Sequence, residues 1–400
     1  MTPDAPRDQE SATLTLGEMD PFGDTVAELD GEAINVFGGI PGEHVVCDIF
    51  RYRRRGKRRV SGIVTEVLAP SPHRVAPPCP YFGACTGCQW QHIAYPHQIE
   101  LKREAVERQI GKYPELADVD VSPTVAGPQM LGYRNHARFS VRRQGSLGFI
   151  NRITRRFVTI DHCMLMDPGI NEAVAALQGR SGETSKLSIR VGSNTGDRLV
   201  QPALMSDEIP LTSGQTHYKE RLLDRMFRVA SPSFFQVNTA QAESIALMVR
   251  DRLELTGSDT LVDAYAGVGT FAVLLASSVR RVIAIEESDA AMRDAAINTL
   301  GVENLVFRQG KTEDVLGTLG AAPDALIVDP PRAGCQPPAL DAIVRWKPRR
   351  TVYVSCDPET LARDLQVLVR GGLRLEKVEP VDMFPQTYHV ECVATLSSGS

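Results

Sequence analysis

No run in this 400-residue chain approaches the ~18–20 consecutive apolar residues that a membrane-spanning helix needs. The first ten residues, Met1 to Glu10, are polar and acidic, unlike the basic and then apolar start of a secretory leader. A cytoplasmic protein with no membrane partner is expected, and a monomer is the plain expectation for its assembly. An excess of basic charge is missing too: the formal net charge is −5, which argues against a wholly basic nucleic-acid binder. No internal repeat is found, which argues against a solenoid. In a reducing compartment eight cysteines are not expected to form a disulfide framework; clustered ones point to metal, isolated ones to catalysis or core. With 42% apolar and 23% charged residues the chain has the composition of two or three globular domains.

The basic residues that are present are concentrated. Arg51, Arg53, Arg54, Arg55, Lys57, Arg58 and Arg59 fall within residues 51–59, and a second set runs from Arg134 through Arg138, Arg142, Arg143, Arg152 and Arg155 to Arg156. Either set could be a solvated surface, but two of them in an acidic chain favour a phosphate-backbone track. Residues 1 to about 12 are expected to be disordered. From Leu14 to about Leu68 apolar alternation broken by Gly17, Asp30-Gly31, Gly38-Gly39 and Pro41-Gly42 predicts a small OB-like β-barrel with the first basic run in its later hairpin, an RNA-handling module over residues 1–70.

A Pro-rich joint over residues 69–78 precedes Cys79, Cys85 and Cys88, spaced C-x5-C-x2-C. Three thiols in ten residues are hard to place in a core, and Cys163 is the best candidate for a fourth ligand. Zinc remains an alternative, but structural zinc sites favour shorter C-x2–4-C spacings, so an iron–sulfur cluster is preferred. The C-x3-C-x2-C spacing of radical enzymes is absent. An amphipathic helix is expected over 95–110, placed to pack on the catalytic domain, within a β-rich central domain spanning 71–230. Phe139 and Phe149 there are either core residues or base-stacking platforms.

From about residue 231 to the end the pattern becomes strand–helix–strand, an α/β domain. Thr260–Asp263 runs into Gly267-Val-Gly269-Thr-Phe-Ala272, a glycine turn that fits the dinucleotide fingerprint, so a nicotinamide cofactor has to be weighed. Two further strands end in acids, Val282–Glu286 and Ala325–Asp329. Acids at strand ends suit a cofactor carrying an amino group and a sulfonium better than one carrying a pyrophosphate, which favours S-adenosylmethionine. Finally, Thr351-Val-Tyr-Val-Ser-Cys356-Asp-Pro358 reads as a buried strand that stops at a cysteine, at the sheet edge where open α/β folds bind ligands. Cys356 is a candidate nucleophile on that pattern; a buried structural cysteine is the other reading.

With Phe234-Phe-Gln-Val-Asn238, Asp329-Pro-Pro-Arg332, Ser355-Cys-Asp-Pro358 and Asp382-Met-Phe-Pro385 followed by His389 and Glu391, nearly the whole chain resembles the RNA 5-methyluridine methyltransferases, in the iron–sulfur, 23S-ribosomal-RNA type. The resemblance implies a TRAM-type barrel, the cysteine cluster and a class I, Rossmann-like methyltransferase domain over 231–400. It implies S-adenosylmethionine contacts at Gln236, Tyr265, Gly267, Glu286 and Asp329. Thr270 and Glu313 stand where the family often has amides, and Asp357 where it usually has Asn. It places a [4Fe-4S] cluster on Cys79, Cys85, Cys88 and Cys163, Cys356 as nucleophile and Glu391 as base. The chemistry requires such groups: a thiolate adding to carbon 6 of uracil makes carbon 5 nucleophilic, and a base must then remove the carbon-5 proton so that the thiolate can leave. The site is expected to favour the thiolate. Ribosomal RNA is favoured over transfer RNA as substrate because some transfer-RNA members lack the cluster. Cytosine-5 methyltransferases are disfavoured because Asp329-Pro-Pro-Arg332 has no Pro-Cys, and amino-group methyltransferases because Arg332 replaces their aromatic. A non-catalytic RNA-binding or assembly factor is the alternative of another class.

Overall fold

The structure, a computed structural model, describes residues 10–54, 56–142 and 144–398, without the side chains of Arg54 and Lys57. Arg55, Arg143 and residues 1–9, where disorder was expected, lie outside the described residues. Residues 10–12 depart from that expectation. They belong to strand β1 (Glu10–Thr15), which pairs antiparallel with β4 (His44–Arg54) and ties Glu10 to Arg51 at 2.9 Å.

With β2 (Thr25–Leu29), β3 (Glu32–Phe37) and β5 (Lys57–Ala69) these strands form a five-stranded sheet in the order β1-β4-β5-β3-β2. The β2–β3 turn is Asp30-Gly31, both residues at positive φ, as a tight hairpin turn of right-handed strands requires. The sheet curls around Leu14, Leu16, Ile34, Val36, Val45 and Cys47. Its basic hairpin leaves Arg53, Arg58 and Arg59 exposed, whereas Arg51 is engaged by Glu10.

Helix α1 (Tyr95–Ile110) starts with Pro at its first turn and ends at Gly111. Strand β6 (Asp120–Val121) follows. A second five-stranded sheet comprises β7 (His136–Val141), β8 (Leu147–Ile150), β9 (Phe157–Thr159), β10 (Lys186–Val191) and β11 (Arg198–Gln201), covered by α2 (Pro168–Leu177). Phe139 is in its core, stacked on the less buried Phe149 with centroids 5.1 Å apart. Of the two aromatics only Phe149 is placed to meet a ligand, since it lines a cavity. The ribbon β12 (His217–Leu222) and β13 (Arg225–Ala230) leads to α3 (Thr239–Leu253), whose N-cap is Asn238.

The remaining chain builds β14 (Thr260–Ala264), α4 (Thr270–Leu275), β15 (Arg281–Glu286), α5 (Asp289–Asn298), β16 (Leu305–Gln309), α6 (Thr312–Val315), β17 (Ala325–Val328), α7 (Pro337–Trp346), β18 (Arg350–Ser355), α8 (Pro358–Arg370), β19 (Leu373–Val381) and β20 (Glu391–Ser398). They form an eight-stranded sheet, β16-β15-β14-β17-β18-β20-β19-β6. The pairs from β16 to β18 are parallel and β20 runs against both its neighbours. The chain winds outward from β14 in one direction and then from β17 in the other. The crevice between these two strands is therefore the switch point at which doubly wound sheets bind ligands. Leu326, Val328, Tyr353 and Val354 are wholly or almost wholly buried, as expected for strands covered on both faces. The fold is a doubly wound α/β domain joined to an OB-like barrel and a β-rich central region, the architecture that the resemblance implies.

Helix α1 spans the residues expected for an amphipathic helix, and besides Leu101, Val106 and Ile110 it buries Gln98 and Lys102. Lys102 forms an ion pair with Asp382, both side chains 0% exposed, and also donates to the Phe384 carbonyl at 3.1 Å. Tyr95 donates its hydroxyl to the other Asp382 oxygen at 2.9 Å. Gln98 exchanges hydrogen bonds with Gln386, both at 3.0 Å. From the other side Gln241 donates to the Asp382 carbonyl (2.9 Å), Asn238 to that of Met383 (3.0 Å) and Tyr133 to that of Pro385 (2.8 Å). The segment between β19 and β20 is thus held by three separate parts of the chain. Replacing Lys102 by Met would strand the Asp382 charge, and the expected cost is about 3–5 kcal/mol in urea denaturation. A loss below about 1 kcal/mol would show that the pair is not needed.

Candidate active site

Strand β18 ends at Ser355, which lies opposite Cys392 of β20. Cys356 and Glu391, the residues next in line on the two strands, therefore emerge side by side at the sheet edge. Asp357 directs the chain away from Cys356 by capping α8: its carboxylate accepts from the amides of Glu359 and Thr360, both at 3.1 Å. Asp and Asn perform that task equally well, so this departure from the expected Asn leaves the position of Cys356 unchanged.

The side chains here are electrostatically coupled. Glu391 is 5% exposed; burial pushes its carboxyl up to about 8, with Asp329 adding to the rise and Arg332 opposing it. Burial pushes the Cys356 thiol up to about 11, the negative charge of Glu391 contributing and Arg332 acting against it. The expected bias toward thiolate is therefore absent from the free protein, because a half-buried sulfur facing an acid is held as the thiol. Arg332 is the cation that counters this. Its side chain reaches Cys356 and also approaches His389 Nδ1 at 3.0 Å. Burial, then Arg332, hold His389 down to about 3, so the ring is neutral and accepts that hydrogen bond. The part played by Arg332 was missed in the sequence, where it counted only against an aromatic at that position; its place directly after Asp329-Pro-Pro was the available signal.

The residues expected to contact a cofactor lie along the neighbouring strand ends. Tyr265 and Gly267 follow β14, Glu286 ends β15, Asp329 follows β17, and Thr270 and Glu313 open α4 and α6. Glu286 accepts from the Gly267 amide at 2.8 Å and shapes the turn. Gly267 has φ +57, and a Cβ there would meet nothing within 4 Å, which leaves its backbone open to a ligand. Asp263 accepts from the Ala272 amide at 2.9 Å, while its other oxygen is buried with no partner. Burial, with Asp329 and Glu286 nearby, raises Asp263 to about 8, and burial raises Asp329 to about 7. A crevice of buried acids with an unpartnered oxygen fits a cationic ligand. Gln236 stands apart from these strand ends, in the loop before α3, with its carbonyl accepting from Asn135 at 3.1 Å.

Cys79, Cys85, Cys88 and Cys163 are brought together around one cavity of about 660 Å³. Their loops are pinned: Asn171 binds both the amide (2.9 Å) and the carbonyl (3.0 Å) of Cys163, Asn151 donates to the Ala84 carbonyl at 2.8 Å, and Gln91 accepts from the Cys79 amide at 3.2 Å. Burial raises the Cys85, Cys88 and Cys163 thiols, and Cys88 feels all three of the others. Among the described residues no group of three or more His, Cys, Asp or Glu is placed to hold a metal ion. The same cavity is lined by Arg134, Arg138 and Arg190 and extends to Thr387 and His389.

Asp263, Asp329 and Glu391 ionise near pH 4 when unfolded and near 7–8 when folded. Between those values the unfolded chain binds fewer protons, so stability falls as pH rises through the window. The melting temperature of the ligand-free protein is expected to drop from about pH 5 to about pH 8.5, with Asp263→Asn flattening the decline. A melting temperature that rises over this range would contradict the assignment.

A family profile described as tRNA (Uracil-5-)-methyltransferase matches residues 321–398, the stretch that holds Asp329, Cys356 and Glu391. Over its length the chain is similar to proteins named as uncharacterized RNA methyltransferases. The one from Gloeobacter violaceus is 34% identical, the match covering 97% of this chain and 96% of that protein. The one from Thermosynechococcus vestitus is 33% identical, covering 98% and 99%. Among solved structures, the tRNA (uracil-54, C5)-methyltransferase of Pyrococcus abyssi, in complex with S-adenosyl-L-homocysteine, superposes with a TM-score of 0.75 at 26% identity over 96% of this chain and 99% of that one. With the relatives matched end to end and the profile falling on the strand ends that carry the reactive side chains, the chain belongs to the RNA (uracil-5-)-methyltransferase family.

Proposed function

We propose that this enzyme transfers a methyl group from S-adenosylmethionine to carbon 5 of a uridine in 23S ribosomal RNA through a covalent adduct on Cys356. The observation that carries this reading is the emergence of Cys356 and Glu391 side by side at the sheet edge, with Arg332 over the sulfur. As thiolate, Cys356 adds to carbon 6 of the uracil and carbon 5 takes the methyl group. Glu391 then removes the carbon-5 proton, and the electrons of that bond re-form the 5,6 double bond as the thiolate leaves.

The thiol at rest suits this sequence. Cofactor binding in the acidic crevice would bring positive charge beside Asp263 and Asp329, which burial holds partly protonated, and their ionisation would follow. Tyr265, Gly267, Thr270, Glu313 and Gln236 complete the proposed cofactor contacts. Because the target carbon is stacked in RNA, the nucleotide must be turned out before it reaches Cys356. The exposed Arg53, Arg58 and Arg59 of the TRAM-type barrel and the exposed Arg138, Arg155 and Arg156 of the central region supply cations for the surrounding phosphates.

Cys79, Cys85, Cys88 and Cys163 would hold a [4Fe-4S] cluster. The preference for a cluster over zinc rests on the C-x5-C-x2-C spacing of the first three, longer than the C-x2–4-C of structural zinc sites. No redox step occurs in the methylation, so the cluster's role is to hold the wall that carries Arg134 and Arg138. The presence of this cysteine set favours ribosomal RNA. Transfer RNA is the second reading, favoured by the similarity to the Pyrococcus abyssi enzyme. A purely RNA-binding role is disfavoured because the chain keeps both candidate residues, Cys356 and Glu391.

Cys356→Ala is expected to abolish methylation while S-adenosylmethionine binding in calorimetry stays near normal; substantial turnover would remove Cys356 as nucleophile. Glu391→Gln is expected to accumulate a methylated protein–RNA adduct that survives denaturing electrophoresis, and normal product release would assign the base elsewhere. Anaerobically purified protein should contain about four irons and four acid-labile sulfides per chain, lost in Cys163→Ser. One zinc in place of iron would reject the cluster.

A further inference from the structure

The nucleophile opens into a second cavity, of about 150 Å³, and one of its walls comes from the far end of the chain. The loop between β1 and β2 contributes Phe22, which faces this cavity together with Cys356, Arg332, Arg108 and Tyr388. Phe22 is 61% exposed, unusual for a phenyl ring in a well-anchored loop. The anchors are explicit. Asp20 accepts from the amides of Phe22 (2.7 Å) and Asp24 (2.9 Å) through one oxygen and from Asn35 through the other. Trp90 donates its indole N–H to the Gly23 carbonyl at 3.0 Å. Gly23, at φ +79, lies so close to Tyr388 that a Cβ would fall 2.6 Å from that residue's Cβ. Among the rings of the described residues Phe22 meets the edge of Tyr388, with centroids 6.4 Å apart at 81°, and Tyr388 in turn tilts over His389 at 4.0 Å.

The loop is fixed by its polar contacts and by Gly23, so the Phe22 ring is spare for packing and is held out rigidly beside the reactive sulfur. We infer that Phe22 stacks on the base of the nucleotide next to the target uridine, so that the N-terminal barrel directly orders RNA at the active site. This rests on the reading of Cys356 as the nucleophile. A flat apolar ring on a stiff support offers any base a face at small entropic cost. Arg108 and Arg332 on the same cavity offer cations to the flanking phosphates; of its acidic lining residues, Asp20 is occupied by the loop's own donors and Asp357 by the first amides of α8, while Glu359 is exposed at the rim.

The test uses the full-length enzyme and a fragment of the RNA that the wild-type protein labels, with the methylated uridine located by mass spectrometry. Phe22→Ala is expected to raise the KM for RNA by about 5- to 100-fold, as loss of one base–aromatic stack would. Cofactor affinity and melting temperature should stay unchanged. Phe22→Tyr should restore the KM, whereas Phe22→Leu, which keeps an apolar contact on Tyr388, should not. On a fragment abasic at the flanking nucleotide, the wild type and Phe22→Ala should become equal. Rescue by Leu, or an unchanged KM in Phe22→Ala, would overturn the inference. Cys356→Ala, assayed in parallel, separates the two readings: turnover in that variant defeats the site assignment, whereas an essential Cys356 with an indifferent Phe22 defeats only this inference.

Discussion

The buried ion pair between Lys102 and Asp382 is the contact on which the active site depends. A lysine and an aspartate removed from water are costly unless each finds its partner and its remaining hydrogen bonds, and here they do: Lys102 also reaches the Phe384 carbonyl and Asp382 also accepts from Tyr95. What the pair specifies is position. Asp382 begins the segment that carries Tyr388, His389 and Glu391, and α1, α3 and Tyr133 all grip its backbone. Glu391 can stand beside Cys356 only while that segment keeps one conformation, because β20 starts where it ends. The pair also explains why a helix distant in sequence belongs with the catalytic sheet, whose edge strand β6 comes from the chain just after that helix.

The second constraint is charge. Burial raises Asp263, Asp329 and Glu391, with Asp329 adding to the rise of the other two, and burial together with Glu391 and Asp329 holds the Cys356 thiol up in the free protein. Such a site is unfavourable to ionise when empty and becomes more favourable to ionise when a cation enters. Arg332 is the fixed part of that compensation, held near the sulfur with the neutral His389 as its acceptor.

The strands of the catalytic sheet were legible because buried parallel strands are short apolar runs, and Asp329, Glu286 and Cys356 announce themselves by ending such runs. Gln98 and Lys102 were not legible, since a charged residue on a helix reads as its solvent face until its distant partner is known. β6, two residues long, carries too little pattern to be recognised. The strand character of residues 10–12 was hidden because its support, pairing with β4, lies more than thirty residues away. The rise of the Cys356 thiol in the free protein was not legible for a related reason: burial and a neighbouring carboxylate are properties of the folded chain. Phe22 is a lone aromatic in a turn, and only the fold brings it to the cavity of Cys356.

The most direct test of this account is nucleoside mass spectrometry after incubation of the protein with labelled S-adenosylmethionine and separated, unmodified ribosomal and transfer RNAs. The account predicts label in 5-methyluridine from the ribosomal fraction. Label in transfer RNA alone would keep the chemistry and overturn the substrate, and label in 5-methylcytidine, or none in either RNA, would contradict the uracil-C5 assignment itself.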